Sequence, residues 1–294
     1  MNDIRRILVV LDRPGGEQWA LARGKALAAA TGAHLHLTSF CWVALAENDQ
    51  VFDTHQRLAL RKGALNERRR WLDGVVLDAG LTAANVSTEV VWTKSIADWV
   101  AEQASSGRAD LVVKSVHRGS GTLLHTPLDW QILRTCPAPV WLAMGGSAAG
   151  PVLASIDLEH GDQKHQLMNQ RVLDAAQYFA GVLKVPAHGV HVVETTGFPD
   201  SLEGYEVEVL AADAELRCRD LLEAMVKPYG LEPANVHLAV GHIAPALAEV
   251  IRNNGAGLLV VGTGARGRIG TFLLGNSAEL ILASAPCDVL AIHI

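Results

Sequence analysis

The residues with the clearest capacity for chemistry lie in one stretch, residues 258–279, LLVVGTGARGRIGTFLLGNSAE. Its first four residues are apolar, the length and character of a strand buried on both faces, and Gly262 ends them where the backbone must turn. Gly264, Gly267, Gly270 and Gly275 follow, and Asn276 can cap a new helix, with Glu279 three residues later completing a capping-box pattern. A strand, a glycine-rich loop and a helix N-terminus together cradle phosphate. Backbone without side chains lets N–H groups approach an anion, and the helix dipole favours negative charge. Two carboxylates share this chemistry. Asp12 and Asp157 each close an apolar run, where a carboxylate could bind ribose, Mg²⁺ or a ligand amine, or could simply cap the next helix.

Other reactive patterns are scarce. The chain contains no nucleophile elbow and no metal-hydrolase helix, and no Lys-Ser/Thr pair follows the glycines as in a Walker loop. Binding is therefore expected over turnover, at most a slow ATPase, with no catalytic residue and no metal ligand assigned. His34 and His36 in HLHL share one face of a strand, as two metal ligands would, but a third ligand is missing from the pattern and a polar face is the simpler reading. Arg68, Arg69 and Arg70 read as a solvated helix face rather than a phosphate contact. All seven tryptophans fall in the first half. On strands and helices of this kind they read as core, with an apolar ligand cavity or a partner surface as the alternative.

Composition narrows the classes. A chain of 294 residues exceeds the usual single core, so two domains are expected. It is 49% hydrophobic and 19% charged, as a well-buried globular protein is. Its net charge of −6 is unevenly held: residues 1–149 carry 16 basic and 14 acidic side chains, the remainder 9 and 17. Neither half offers a dedicated nucleic-acid surface. Cys41, Cys136, Cys218 and Cys287 have neither close pairing nor metal spacing, and read as reduced, packed thiols. The apolar run after the N-terminus stops at Asp12, too early for a signal-peptide core, and no run approaches the roughly 20 residues that span a bilayer. A cytoplasmic protein without membrane insertion is expected.

The elements that must position these residues are written twice. The strand at 7–11 closed by Asp12 recurs at 152–156 closed by Asp157, 145 residues later. Val100-Ala101-Glu102 recurs as Leu247-Ala248-Glu249, Leu111-Val112-Val113 as Leu259-Val260-Val261, and Pro137-Ala138-Pro139-Val140 loosely as Pro286-Cys287-Asp288-Val289, at offsets of 147, 148 and 149. So small a drift is what duplication leaves behind. The boundary falls in residues 145–150, small residues suited to a flexible linker, giving domains 1–145 and 150–294. Strands are expected near 7–11, 34–40, 87–92, 111–114 and 140–143, then 152–156, 189–193, 235–240, 258–261 and 289–292. Helices are expected at 17–30, 54–79, 96–104 and 128–134, then 163–183, 206–229, 244–253 and 277–283. Alternating strands and helices with right-handed crossovers give a parallel sheet covered on both faces.

The spacing of the glycine loop resembles a family signature. Gly262, two residues, Ala265, nine residues, Gly275 and Asn276 are similar to the universal stress protein pattern G-x2-G-x9-G-[S/T]. Ala265 stands in place of the second glycine and Asn276 in place of Ser or Thr, with Ser277 next. The stretch TPLDWQILRTCPAPVWL, taken with GNSAE, extends the resemblance over essentially the whole chain to the tandem two-domain members of the E type. The resemblance implies two Rossmann-like (adenine nucleotide alpha hydrolase-like) α/β domains, each a five-stranded parallel sheet of order 3-2-1-4-5 with helices on both faces. It puts the ligand crevice at the topological switch between strands 1 and 4. It also implies an ATP site, with Mg²⁺ if ATP binds, built in the second domain by Asp157, Gly262, Gly264, Ala265, Gly267, Gly275, Asn276 and Ser277. Ala restricts positive φ and fills space, so affinity is expected to be reduced.

In the first domain, alignment on the fourth strand sets Lys114 against Gly262, and Pro127 removes a donor from the helix start. That domain reads as a degenerate nucleotide domain. Three functions follow: a stress-response ligand-binding or regulatory protein that binds ATP in its second half; a non-nucleotide binding or interaction module that uses apolar crevices; and a weak ATPase. The halves are expected to pair through their last strands as an intramolecular pseudo-dimer, with further homo-oligomerisation open.

Overall fold

Apolar runs of four or five residues between glycines and helices become strands buried on both faces. In the computed structural model, which describes residues 3–11, 14–82, 84–116, 127–146, 148–194, 204–263, 281 and 284–293, every residue of β4 (Leu111–Ser115), β5 (Val140–Ala143) and β10 (Asp288–Ile292) is buried. The chain forms two compact units, residues 3–115 with 135–140 and residues 116–134 with 141–294.

The first unit runs β1 (Arg6–Val10), α1 (Trp19–Thr31), β2 (His34–Cys41), α2 (Thr54–Asp78), β3 (Val86–Trp92), α3 (Ile96–Ser105) and β4. Its strands lie in the order β3-β2-β1-β4, all paired parallel. The Pro139 carbonyl accepts the Val112 N–H of β4 at 3.0 Å, so the fifth position of the order 3-2-1-4-5 is filled as expected. Outer strands are less covered: β3 has a single buried residue, Val90. The 25-residue α2 starts at a capping box, Asp53 accepting the Gln56 N–H while the Gln56 side chain takes the Asp53 N–H.

The second unit contains α4 (Pro127–Thr135) and β5 for most of their lengths, then β6 (Val152–Ser155), α5 (Gln163–Leu183), β7 (Ala187–Val193), α6 (Gly204–Val226), β8 (Val236–Val240), α7 (Ile243–Asn254), β9 (Leu258–Gly262) and β10. Its order is β5-β10-β9-β6-β7-β8, and the pairs from β10 to β8 are parallel. The last five strands reproduce the order 3-2-1-4-5. α5 has the expected bounds; α6 stops at Val226 and continues to Tyr229 as a 3-10 turn. The helix expected at 277–283 lies outside the described residues. Among the described residues, no helix is long and apolar enough to cross a membrane.

The second unit holds the last strand of the first repeat, β5, beside the last strand of the second, β10, and one buried carboxylate fastens them. Asp288, 1% exposed, accepts the Trp141 indole N–H and the Met144 backbone N–H, both at 2.9 Å. Trp141 is the one fully buried tryptophan among the described residues, packed edge-on against Phe179 at 5.2 Å. The core reading holds for it but not for Trp42, which is 39% exposed. The expected flexible linker is also corrected. A Cβ on Gly257 would stand 2.4 Å from the Ala148 carbonyl oxygen, and one on Gly150, whose φ is +129°, 2.0 Å from that of Gly255. Backbone lies on backbone there, so these glycines serve close approach rather than freedom. Asp288→Ala leaves a buried indole N–H and a half-buried amide N–H without their acceptor and is expected to cost about 3 kcal/mol in urea unfolding, with Asp288→Asn intermediate because it retains one acceptor.

Candidate functional site

β6 pairs with β9, Val152 facing Leu258 and Ala154 facing Val260, while the chain leaves β6 for β7 on one side and β9 for β10 on the other. This is the topological switch, and the residues beyond the strand ends here are Asp157 and Thr263. Of the predicted site residues, Asp157 and Gly262 are brought to this edge. Gly264, Ala265, Gly267, Gly275, Asn276 and Ser277 lie outside the described residues, as does Asp12.

Asp157 is fixed from several directions. Its N–H donates to Asn169 Oδ1 at 3.0 Å, and Asn169 Nδ2 donates back to its carbonyl at 2.6 Å. The preceding Ile156 carbonyl accepts Nδ1–H of His191, a buried residue of β7, at 2.9 Å. The Asp157 carboxylate accepts the Glu159 N–H at 2.9 Å and the His160 Nδ1–H at 3.0 Å. Asp157 thus shapes a tight turn, and the helix cap considered for it belongs to Asp162, which accepts the Lys164 and His165 N–H groups. Hydrogen bonding to Asp157 and its charge raise the pKa of the exposed His160.

Gly262 has a packing reason. A Cβ there would fall 2.4 Å from Cγ of Met168, so the absent side chain admits α5 against the end of β9. The next amide, Thr263 N–H, is bonded to the Ile292 carbonyl at 2.9 Å. The repeat alignment also moves by one residue. Ile7 pairs with Leu111 where Val152 pairs with Leu258, so the equivalence of Asp12 with Asp157 makes Ser115, not Lys114, the counterpart of Gly262. Ser115 Oγ accepts the Ala20 N–H at the start of α1 at 2.9 Å, and the buried Lys114 ammonium donates to the Ser115 carbonyl at 2.8 Å.

Sequence reasoning missed Asn169, Met168 and His293. Asn169 carries a recoverable signal, a polar side chain on the buried stripe of α5. His293 follows β10 and meets Thr263. The Thr263 hydroxyl donates to the Ile292 carbonyl at 3.1 Å, so its oxygen receives Nδ1–H of His293, which fixes the neutral tautomer. In the first unit, His34 and His36 share Ser87 Oγ at 2.8 Å each, and His36 reaches Glu89 at 3.3 Å, a polar network as expected. The four cysteines are free, and burial pushes the Cys136 thiol up to about 12.

Burial pushes His293 down to about 4, against about 6.5 for an unfolded histidine. Between these values the unfolded chain holds more protons. The stability from keeping His293 neutral is complete above pH 6.5 and is lost as pH falls towards 4, by about 3 kcal/mol in all. His293→Gln is expected to shrink the difference in urea midpoint between pH 7 and pH 4.5. His36, His188 and His237, which burial also lowers, contribute to the remaining difference, the last two sharing a 2.9 Å contact.

Comparison with known proteins accounts for the duplicated architecture. The model of the universal stress protein family matches residues 3–143 and again 166–293. Universal stress protein E of Escherichia coli K12 is 27% identical over 305 residues, covering 98% of this chain and 93% of that protein. Its namesake in Photorhabdus laumondii is 25% identical over 303 residues, covering 99% and 96%. A solved structure of a functionally unknown protein from Pseudomonas aeruginosa PAO1 aligns with a TM-score of 0.71 at 25% identity, covering 99% of this chain and 92% of that one. A universal stress protein structure from Archaeoglobus fulgidus shares the fold, with a TM-score of 0.62 over 97% and 98% of the two chains. Two matches to one family in a single chain, each ending at a repeat's last strand, establish it as a tandem member of the universal stress protein family.

Proposed function

We propose that this protein acts in the cytoplasm in the stress response as a ligand-binding regulator, and that its second repeat binds ATP. The observation that carries the reading is Asp157, held by Asn169 and His191 at the carboxyl end of β6, beside the strand that leads into the glycine loop. At a topological switch a carboxylate so fixed suits a sugar hydroxyl or a Mg²⁺ ion, and the loop from Gly264 to Ser277 has the composition to offer backbone N–H groups to phosphates. Names of full-length relatives support the stress-response part.

Asp157 would orient the nucleotide and the loop would hold its phosphates. Catalytic work is limited to slow hydrolysis. Calorimetric titration of the full chain with Mg²⁺–ATP tests this. Binding is expected to survive Asp12→Ala and to fall at least tenfold in Gly275→Asp, which puts negative charge where phosphate would sit. Absence of ATP binding at millimolar concentration, or equal binding by Gly275→Asp, overturns the reading.

A second reading rests on a different observation, an apolar groove of about 620 Å³ in the first unit between α2 and the segment after β2, lined by Val43, Phe52, Ala59, Leu60 and Ala64 among others. This mostly apolar lining suits a small apolar ligand. Binding of an apolar fluorescent probe by the full chain, weakened by Leu60→Glu, is the expected result.

A further inference from the structure

The turn that follows β6 and the first turn of α5 carry three side chains of metal-ligating type that the nucleotide reading leaves unused as a set. Asp157, His160 and His165 each bring one ligand atom to within 4.8 Å of the others. The two imidazoles are stacked, with centroids 4.5 Å apart and planes 18° from parallel. The hydrogen bond from His160 Nδ1–H to Asp157 Oδ2 is 3.0 Å long, close to the separation of two donors on one ion with bonds of about 2.0–2.2 Å, and a bound metal would take the place of its proton.

The remaining pieces are those that surround a bound metal. Asp162 Oδ2 accepts Nδ1–H of His165 at 2.6 Å, which fixes the tautomer and leaves Nε2 with its lone pair for a ligand bond. Asn169 and His191 clamp the backbone at Asp157, so one ligand is preorganised by buried groups while the histidines remain accessible.

We infer that Asp157, His160 and His165 form a binding site for a single divalent transition-metal ion of the zinc, cobalt, nickel or copper class. Two imidazoles and one carboxylate select these ions over Mg²⁺ and Ca²⁺, which take oxygen donors. Three protein ligands leave at least one coordination position open to water or to an oxygen of a bound molecule, at the same edge of the sheet as the switch between β6 and β9. The site does not rest on ATP binding, and its test contains no nucleotide.

Chelator-stripped full-length protein dialysed against micromolar Zn²⁺ at pH 7.5 is expected to retain one equivalent by elemental analysis. Retention is expected to be lost in His160→Ala/His165→Ala, to persist in His188→Ala and to be unaffected by a large excess of Mg²⁺. Asp162→Asn keeps a good helix cap but weakens the outer carboxylate, and should raise the dissociation constant 10–100-fold. Circular dichroism confirms folding of each variant. On the unaltered protein, one equivalent of Cu²⁺ should give an electron paramagnetic resonance spectrum with coupling to two imidazole nitrogens. Failure to retain Zn²⁺, retention unchanged in the double variant, or a copper spectrum without two-nitrogen coupling overturns the assignment.

Discussion

A buried carboxylate with two donors aimed at it cannot be exchanged for solvent without exposing all three groups, and Asp288 is such a carboxylate. It opens β10, and its partners, Trp141 and Met144, lie on and just beyond β5. The second unit's sheet therefore begins with a strand from the first repeat. An unpaired β10 would present a row of open N–H and C=O groups together with an apolar face, and covering that edge from within the chain removes the hazard. Duplication supplied the covering strand; the Asp288 contacts fix which residues meet. Since the donors are an indole and a backbone amide, the pairing is specific in position as well as favourable in burial.

From that edge inward, the same unit builds the crevice by fixing backbone rather than by leaving it free. Asp157 is held through its own amide and carbonyl by Asn169, and through its predecessor's carbonyl by His191. Thr263 is tied to the end of β10 through its amide and its hydroxyl. Burial of His293 beside it keeps a neutral imidazole in place. The two strand ends of the switch are thus held in place by bonds to elements distant in sequence.

The two repeats show how a shared architecture diverges at such supports. Where the second admits Met168 over a glycine, the first has Ser115 bonded to the start of α1, with the Lys114 ammonium on the Ser115 carbonyl. Helix and strand end are closed together by polar bonds in one repeat and by a thioether in the other. Either solution is local, so the two copies of one fold can diverge there without a change of architecture.

The sequence by itself determined the alternation of elements, the repeat, the strand order by way of the family resemblance, and α5 to its end residues. These are legible because period, run length and capping residues act within a few positions of one another. It also singled out Asp157 and Gly262 as neighbours at the switch. Only the tertiary structure decided what packs around those residues. Gly262 reads as a phosphate contact, and Met168, nearly a hundred residues earlier in the chain, gives it a packing reason as well. Asp157 reads as either a ligand-binding carboxylate or a helix cap, and Asp162, found capping α5, takes the second role. Gly150 reads as part of a flexible linker, and proves to be a site of backbone contact. In each case residue type and spacing specify local conformation, whereas the partner comes from elements distant in sequence, whose packing and register no short-range pattern records.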